Sequence, residues 1–117
     1  MIVYAESSAV LAWLMDEAEA EAIRQALAEA QAVVASDLTL VECDRVLVRT
    51  VVEGRLREAE AAGRQALLAR AAELWTHLTV SPEILARARR PFPVEPIRTL
   101  HALHLASALR AGRPAST

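Results

Sequence analysis

Glu6 is the first residue whose placement points to chemistry. It ends a short apolar run, Ile2-Val3-Tyr4-Ala5, and is followed by two small hydroxyl residues, Ser7 and Ser8, and then by the apolar segment Ala9–Leu14. Such a run reads as a buried parallel strand. Ligands of open α/β sheets bind just outside the carboxyl ends of the central strands. A carboxylate there, with a helix starting behind it, is a candidate ligand for a divalent cation. The alternative is a glutamate that simply carries the chain from strand into solvent. A second acid, Glu42, lies inside the helix-like segment Leu38–Val52, with Arg45 and Arg49 one and two turns further along the same face. Taken alone, that trio reads as a solvated ion-pair stripe worth roughly 0.3 kcal/mol per pair.

The elements that must position these acids follow from the pattern of the rest of the chain. Ser8 is placed to cap a helix over Ala9–Met15. Asp16, with Glu19 three residues on, makes a capping-box pattern ahead of an amphipathic helix over Glu17–Ala30, whose apolar stripe is Ala20, Ile23, Leu27 and Ala30. Ala32–Ala35 is a second short buried strand, and strand, helix and strand at this spacing make a βαβ unit. Ser36 or Asp37 caps the helix Leu38–Val52, and Gly54 ends it. Glu58–Leu74 is Ala-rich and helical, with Gly63 as a weak point. Trp75–Val80 reads as a third strand with His77 inside it, in a structural or exposed role. Ser81-Pro82-Glu83 is a helix start: a cap, proline at the first position and an acid in the first turn. Pro91–Pro96 holds three prolines and must be an extended loop. Thr99 caps a last helix over Leu100–Ala111, and Gly112 and Pro114 stop it. The order β-α-α-β-α-α-β-α-α implies a parallel sheet with helices packed on it.

Composition sets the limits. The chain has 117 residues, enough for one domain with a single core, and is 54% hydrophobic, which favours a folded globular chain over disorder. Aromatic residues are 3%, so the core must be built from Ala, Leu and Val. The net charge of −2 gives no general attraction to nucleic acid, although a local basic patch remains open. All 13 basic residues are arginine. No apolar run approaches the roughly 20 residues of a membrane helix, and the N-terminus lacks the charged segment of a signal peptide. Cys43 is alone, so it forms no intrachain disulfide, and it reads as a small buried hydrophobe rather than a catalytic thiol. Together these features point to the cytoplasm.

Three stretches recur in a familiar order: Glu6-Ser7-Ser8-Ala9; the run Ser36–Cys43, with Glu42 as its acid; and Pro96–Leu109, a late helix introduced by Pro-Ile-Arg-Thr. In order and spacing they resemble the PIN-domain family and, within it, the VapC-type toxin ribonucleases. The resemblance covers essentially the whole chain, and the late stretch is its most specific part. It implies a PIN-like three-layer α/β sandwich, with a short parallel sheet of about three strands flanked by helices, in one domain over residues 1–117. It also implies acidic residues at the strand ends that hold Mg²⁺ or Mn²⁺ and cleave RNA. Mg²⁺ takes carboxylate oxygens and keeps several waters; such an ion neutralises charge on a phosphodiester in flight.

Carried over residue by residue, Glu6 stands where the family usually has Asp, Glu42 matches the family's Glu, and Ser8 matches the small hydroxyl that supports the site. The family's third acid falls on His101, an imidazole that would favour Mn²⁺ or softer ions over Mg²⁺. His104, one turn on, is either a further ligand or a packed helix residue. Arg45, Arg49 and Arg98 are candidate contacts to RNA phosphates. Family members continue into another strand that ends near a fourth acid; Ala115-Ser116-Thr117 stand where it should begin. The family sheet order 3-2-1-4-5 then leaves strand one as an edge, and an apolar edge strand recruits another chain. A homodimer completed across that edge, or a marginally stable domain, is the expectation. The family also implies a VapB-type antitoxin as partner, seated on the apolar side of Ala9–Leu14 and on Val46–Val52.

Two functions follow. One is a VapC-like, divalent-metal-dependent endoribonuclease built on Glu6, Glu42 and His101. The other is a PIN-like scaffold that has lost catalysis and binds an antitoxin or itself. The number of clustered carboxylates discriminates between them. A third class, an unrelated small-molecule or metal-binding domain, lacks any glycine-rich phosphate loop, CxxC or HExxH pattern in its support.

Overall fold

The most buried strand lies in the middle of the sheet. In the computed structural model, which describes residues 1–112, β2 (Ala32–Ser36) is flanked by β1 (Ile2–Tyr4) and β3 (Thr76–Leu78), both parallel to it. Val3 pairs with Val33, and Ala35 with His77. Among the described residues the order β1-β2-β3 puts β1 at an edge, with Ile2 60% exposed. Parallel pairing brings the carboxyl ends of the strands to one side of the sheet, and α1 (Ser7–Leu14) and α3 (Asp37–Val52) both start there.

The helices are α1, α2 (Ala20–Glu29), α3, α4 (Glu58–Ala72), α5 (Pro82–Ala88) and α6 (Thr99–Ala111), in the sequence-derived order. Their starts differ from expectation in three places, one of them α6, where Thr99 is the first helical residue and Arg98, without a side-chain cap bond, holds the N-cap position. α1 begins at Ser7 because the Glu6 side chain, not Ser8, caps it, accepting from Ala9 N at 2.7 Å. α2 begins at Ala20, three residues later than the capping-box pattern implied, because Asp16 takes a left-handed conformation (φ 55°) and Glu17 N bonds back to Ala12 O. The α3 start follows expectation: Ser36 Oγ accepts from Leu38 N at 3.2 Å. At its other end Gly54 has φ 75°, the conformation glycine adopts without a Cβ penalty. His77 is structural, its Nε2 lying 2.7 Å from Ala72 O.

Two apolar clusters hold these elements. The larger joins Ala5, Val10, Leu14, Val33, Ala35, Cys43 and Leu68, tying α1, α3 and α4 to the sheet. The smaller joins Ile84, Phe92, Ala102 and Ala106, fastening α5 to α6. The proline-rich loop between them is ordered by Glu95, whose carboxylate accepts from Phe92 N at 2.9 Å and Ile97 N at 3.0 Å. Arg87 stacks over Phe92, 3.9 Å from the ring centroid. That clasp sets where α6 begins. The expected stop at Pro114 and the expected strand start at Ala115–Thr117 lie outside the described residues. No described helix is long and apolar enough to cross a membrane.

Candidate functional site

Glu6 and Glu42 come from separate elements and line one cavity. Glu6 sits at the junction of β1 and α1, where the edge strand ends. Glu42 lies on α3, which Thr39 anchors to the strand end by donating to Ala5 O at 3.3 Å. The cavity, about 580 Å³, is lined by both acids together with Tyr4, Ser7, Ser8, Arg98, Leu100, His101, His104, Leu105 and Ala108. Its one wall is polar, from α1 and α3. The other is the face of α6.

Each carboxylate is held by one oxygen. Glu6 Oε1 accepts from Ala9 N and from Ser8 Oγ. Glu42 Oε1 accepts from Ser7 Oγ at 2.7 Å and meets His104 Nε2. In both acids these bonds leave Oε2 uncommitted. The Glu42 and His104 side chains are 27% and 14% exposed, so their contact is largely shielded from solvent. Among the described residues, two buried polar atoms at the cavity have no hydrogen-bond partner, Tyr4 Oη and His104 Nδ1. Burial raises the Tyr4 phenol above its ordinary value, an effect reduced by the nearby Ser107 and Ser36 hydroxyls. Ser107 Oγ donates to Leu103 O at 2.8 Å, and Ser36 Oγ accepts from Leu38 N at 3.2 Å.

The sequence-derived residues divide by place. Glu6, Ser8, Glu42, Arg98 and His101 all line the cavity. His101 is exposed and makes no hydrogen bond among the described residues; the histidine that reaches Glu42 is His104. Arg45 and Arg49 are exposed on α3, pair with neither Glu42 nor another acid, and lie outside the cavity lining, so the ion-pair stripe does not form. Ser7 and the capping role of Glu6 were not foreseen. The signal for both was the Glu-Ser-Ser triplet itself, which allows an acidic cap one residue earlier than a serine cap. Among the described residues, no three His, Cys, Asp or Glu side chains come together as a metal cage.

The sequence model of the PIN domain matches residues 3–115. The chain belongs to the PIN-domain family. Among solved structures, this PIN domain is similar to the crystal structure of Mycobacterium tuberculosis VapC20, a sarcin-ricin loop cleaving toxin. The two share 16% identity with a TM-score of 0.66, over 96% of this chain and 84% of that one. No curated protein matches the sequence. The α/β architecture, six helices around a three-stranded parallel sheet among the described residues, is the PIN-like fold expected from the sequence.

The donor set of this PIN domain suits one kind of cation. Two uncommitted carboxylate oxygens at one cavity are what a hard divalent ion uses when it keeps most of its water and takes further ligands from a phosphate. They do not make a closed cage of protein ligands. Glu6 and Glu42 are the carboxylates that such an ion would use, with its remaining ligands coming from water and phosphate.

Proposed function

We propose that the chain is the toxin of a toxin–antitoxin pair, a VapC-like PIN-domain endoribonuclease that engages RNA at the cavity between α1, α3 and α6. One observation carries this reading: Glu6 and Glu42, separated by 35 intervening residues, converge on a single cavity with Ser7, Ser8 and Arg98 around them.

Glu6 and Glu42 would hold Mg²⁺ or Mn²⁺ through their free Oε2 atoms. The ion supplies charge neutralisation at the phosphodiester and a more acidic bound water. This chain's own residues do the rest. Ser8 and the α1 amide at Ala9 fix Glu6 at the strand end. Ser7 and His104 fix Glu42. Arg98, exposed at the rim, binds a phosphate of the strand as a bidentate donor. His101 faces the same mouth and is the further ligand or contact that the bound strand would bring into use. Arg45 and Arg49 meet only RNA that extends beyond the cavity along α3.

The VapB-like antitoxin has a surface of its own in this reading. Val10, Ala12 and Leu14 of α1 are buried in the core and so are withdrawn from it. On α3, Val41, Val48 and Val52 are 59%, 48% and 81% exposed, and one helical stripe carries all three. Antitoxin contact belongs there. The open edge of β1 is where a homodimer would form. We place the protein in the cytoplasm, with its RNA and its antitoxin.

A second reading, the catalytically inactive scaffold, is favoured by one observation: His104 already engages Glu42, and among the described residues no third acid joins the pair. Cleavage of a single-stranded RNA panel by purified protein, with EDTA, Mg²⁺ and Mn²⁺ compared, separates the two. Metal-dependent cleavage supports the ribonuclease. A folded protein that binds antitoxin and leaves every RNA intact supports the scaffold.

A further inference from the structure

Glu42 is a carboxylate and can only accept. An ionised Glu42 is satisfied by His104 only when the ring carries its proton on Nε2 and donates to Oε1. Ser7 Oγ donates to the same oxygen at 2.7 Å. Two donors from different elements, α1 and α6, converge on one oxygen and stop rotation of the carboxylate. The other oxygen has no such bond, and Glu42 lines the cavity.

The ring that does this is itself held. The His104 side chain is 14% exposed. Its helix neighbours Leu103 and Leu105 pack against the Ile84–Phe92 cluster. Its Nδ1 is buried without a partner, so the bond to Glu42 is the ring's one polar engagement among the described residues.

We infer that His104 is a positioning residue for Glu42: its Nε2–H, with the Ser7 hydroxyl, pins Oε1 so that Oε2 is aimed into the cavity for the ligand. The inference rests on the reading of Glu42 as an acid of the RNA site. It gives a role to a residue outside the acid pattern, and it makes the α5–α6 unit part of the machinery rather than a wall. Hydrogen bonds of this kind behind a ligating carboxylate typically change metal affinity about 10–100-fold when removed.

Two measurements on the full chain test it. Nitrogen NMR of the metal-free protein reads which ring nitrogen of His104 carries the proton, and whether Glu42→Gln moves that signal. Electron paramagnetic resonance reads Mn²⁺ affinity in the wild type, His104→Leu, His104→Gln and Ser7→Ala. The expected result is a proton on Nε2, a signal that responds to Glu42→Gln, and Mn²⁺ binding weakened about tenfold or more by His104→Leu. His104→Gln, whose amide still donates, recovers most of that loss. If circular dichroism shows that His104→Leu does not fold, Ser7→Ala removes the other donor from the same oxygen and carries the test with the same sign.

Mn²⁺ binding that is unchanged or tighter in His104→Leu overturns the inference, because the ring would then be a competitor for the cation's place. A proton on Nδ1, or a Gln variant as weak as the Leu variant, overturns it as well. A wild type that takes up no Mn²⁺ through Glu42, despite the expected nitrogen signal, overturns the cation reading of the site and reduces His104 to a fastening for α6.

Discussion

His104 and Glu42, 62 residues apart in sequence, meet through a hydrogen bond at the floor of the cavity. That bond ties the late helix α6 to the acid-bearing helix α3. It joins the two apolar clusters across a polar contact and sets the shape of the space between them. What the cavity does depends on both partners staying in place.

Glu6 caps α1 and is proposed to hold the cation, and substitution separates the two tasks. Glu6→Ala removes the cap of α1 and should cost about 1 kcal/mol of stability, read from urea unfolding, together with metal-dependent cleavage. Glu6→Asp keeps a carboxylate and a good cap, so stability is held. Cleavage that also survives in Glu6→Asp shows that the extra methylene of Glu6 is not required.

Ile84 is 2% exposed at the centre of the α5–α6 cluster. Ile84→Ala should destabilise the protein by roughly 2–5 kcal/mol, the range for emptying such a site. The same variant loosens α6, so RNA affinity falls at temperatures where the protein remains folded. Unchanged RNA affinity would mean that the α6 wall of the cavity contributes nothing to binding.

Cys43 ties stability to alkaline pH. Its thiol is pushed up to about 12, chiefly by burial and further by the charges of Glu42, Asp44 and Glu6, from an ordinary value of 9.0. A raised folded value means that the contribution is complete below the unfolded value and is lost as pH climbs toward the folded one. The urea midpoint should therefore drop between about pH 9 and 12, and Cys43→Ala should flatten that drop. In the native protein at pH 8 the thiol should resist alkylation.

The arginines should sort by strand length. With a short RNA confined to the cavity, Arg98→Ala lowers affinity and reduces the salt slope by about 0.7, the value of one phosphate on a single strand. Arg45→Ala and Arg49→Ala leave that short RNA unaffected and weaken only longer strands. An equal effect of all three on the short RNA would place α3 inside the binding track.

Much of this was legible in the sequence because the signals were local. Apolar runs gave the three strands, Ser81-Pro82 gave the start of α5, and Gly54 gave the end of α3. The acids were legible because Glu6 follows a strand and Glu42 lies within a resemblance of fixed spacing. What stayed hidden depended on contacts between distant residues. His104 reads as either a further ligand or a packed helix residue until the fold brings it to Glu42, and His101, the better candidate by motif position, is exposed at the cavity instead. The α2 start was misplaced because a capping-box pattern competes with the left-handed turn at Asp16, and the packing of α1 against α2 favours the turn. Arg45 and Arg49 share a face with Glu42 by spacing alone, but Glu42 is turned inward by Ser7 and His104.

The most direct test of the central claim compares wild type with Glu42→Gln for Mn²⁺-dependent cleavage of single-stranded RNA. The substitution is nearly isosteric and removes only the charge. An ion at the phosphodiester contributes several kcal/mol, and each 1.4 kcal/mol is about tenfold in rate. Cleavage by the wild type that needs the metal and falls roughly 100-fold or more in Glu42→Gln, at unchanged stability, is the predicted result. Equal cleavage by both proteins, or none by a folded wild type with either metal, would contradict it.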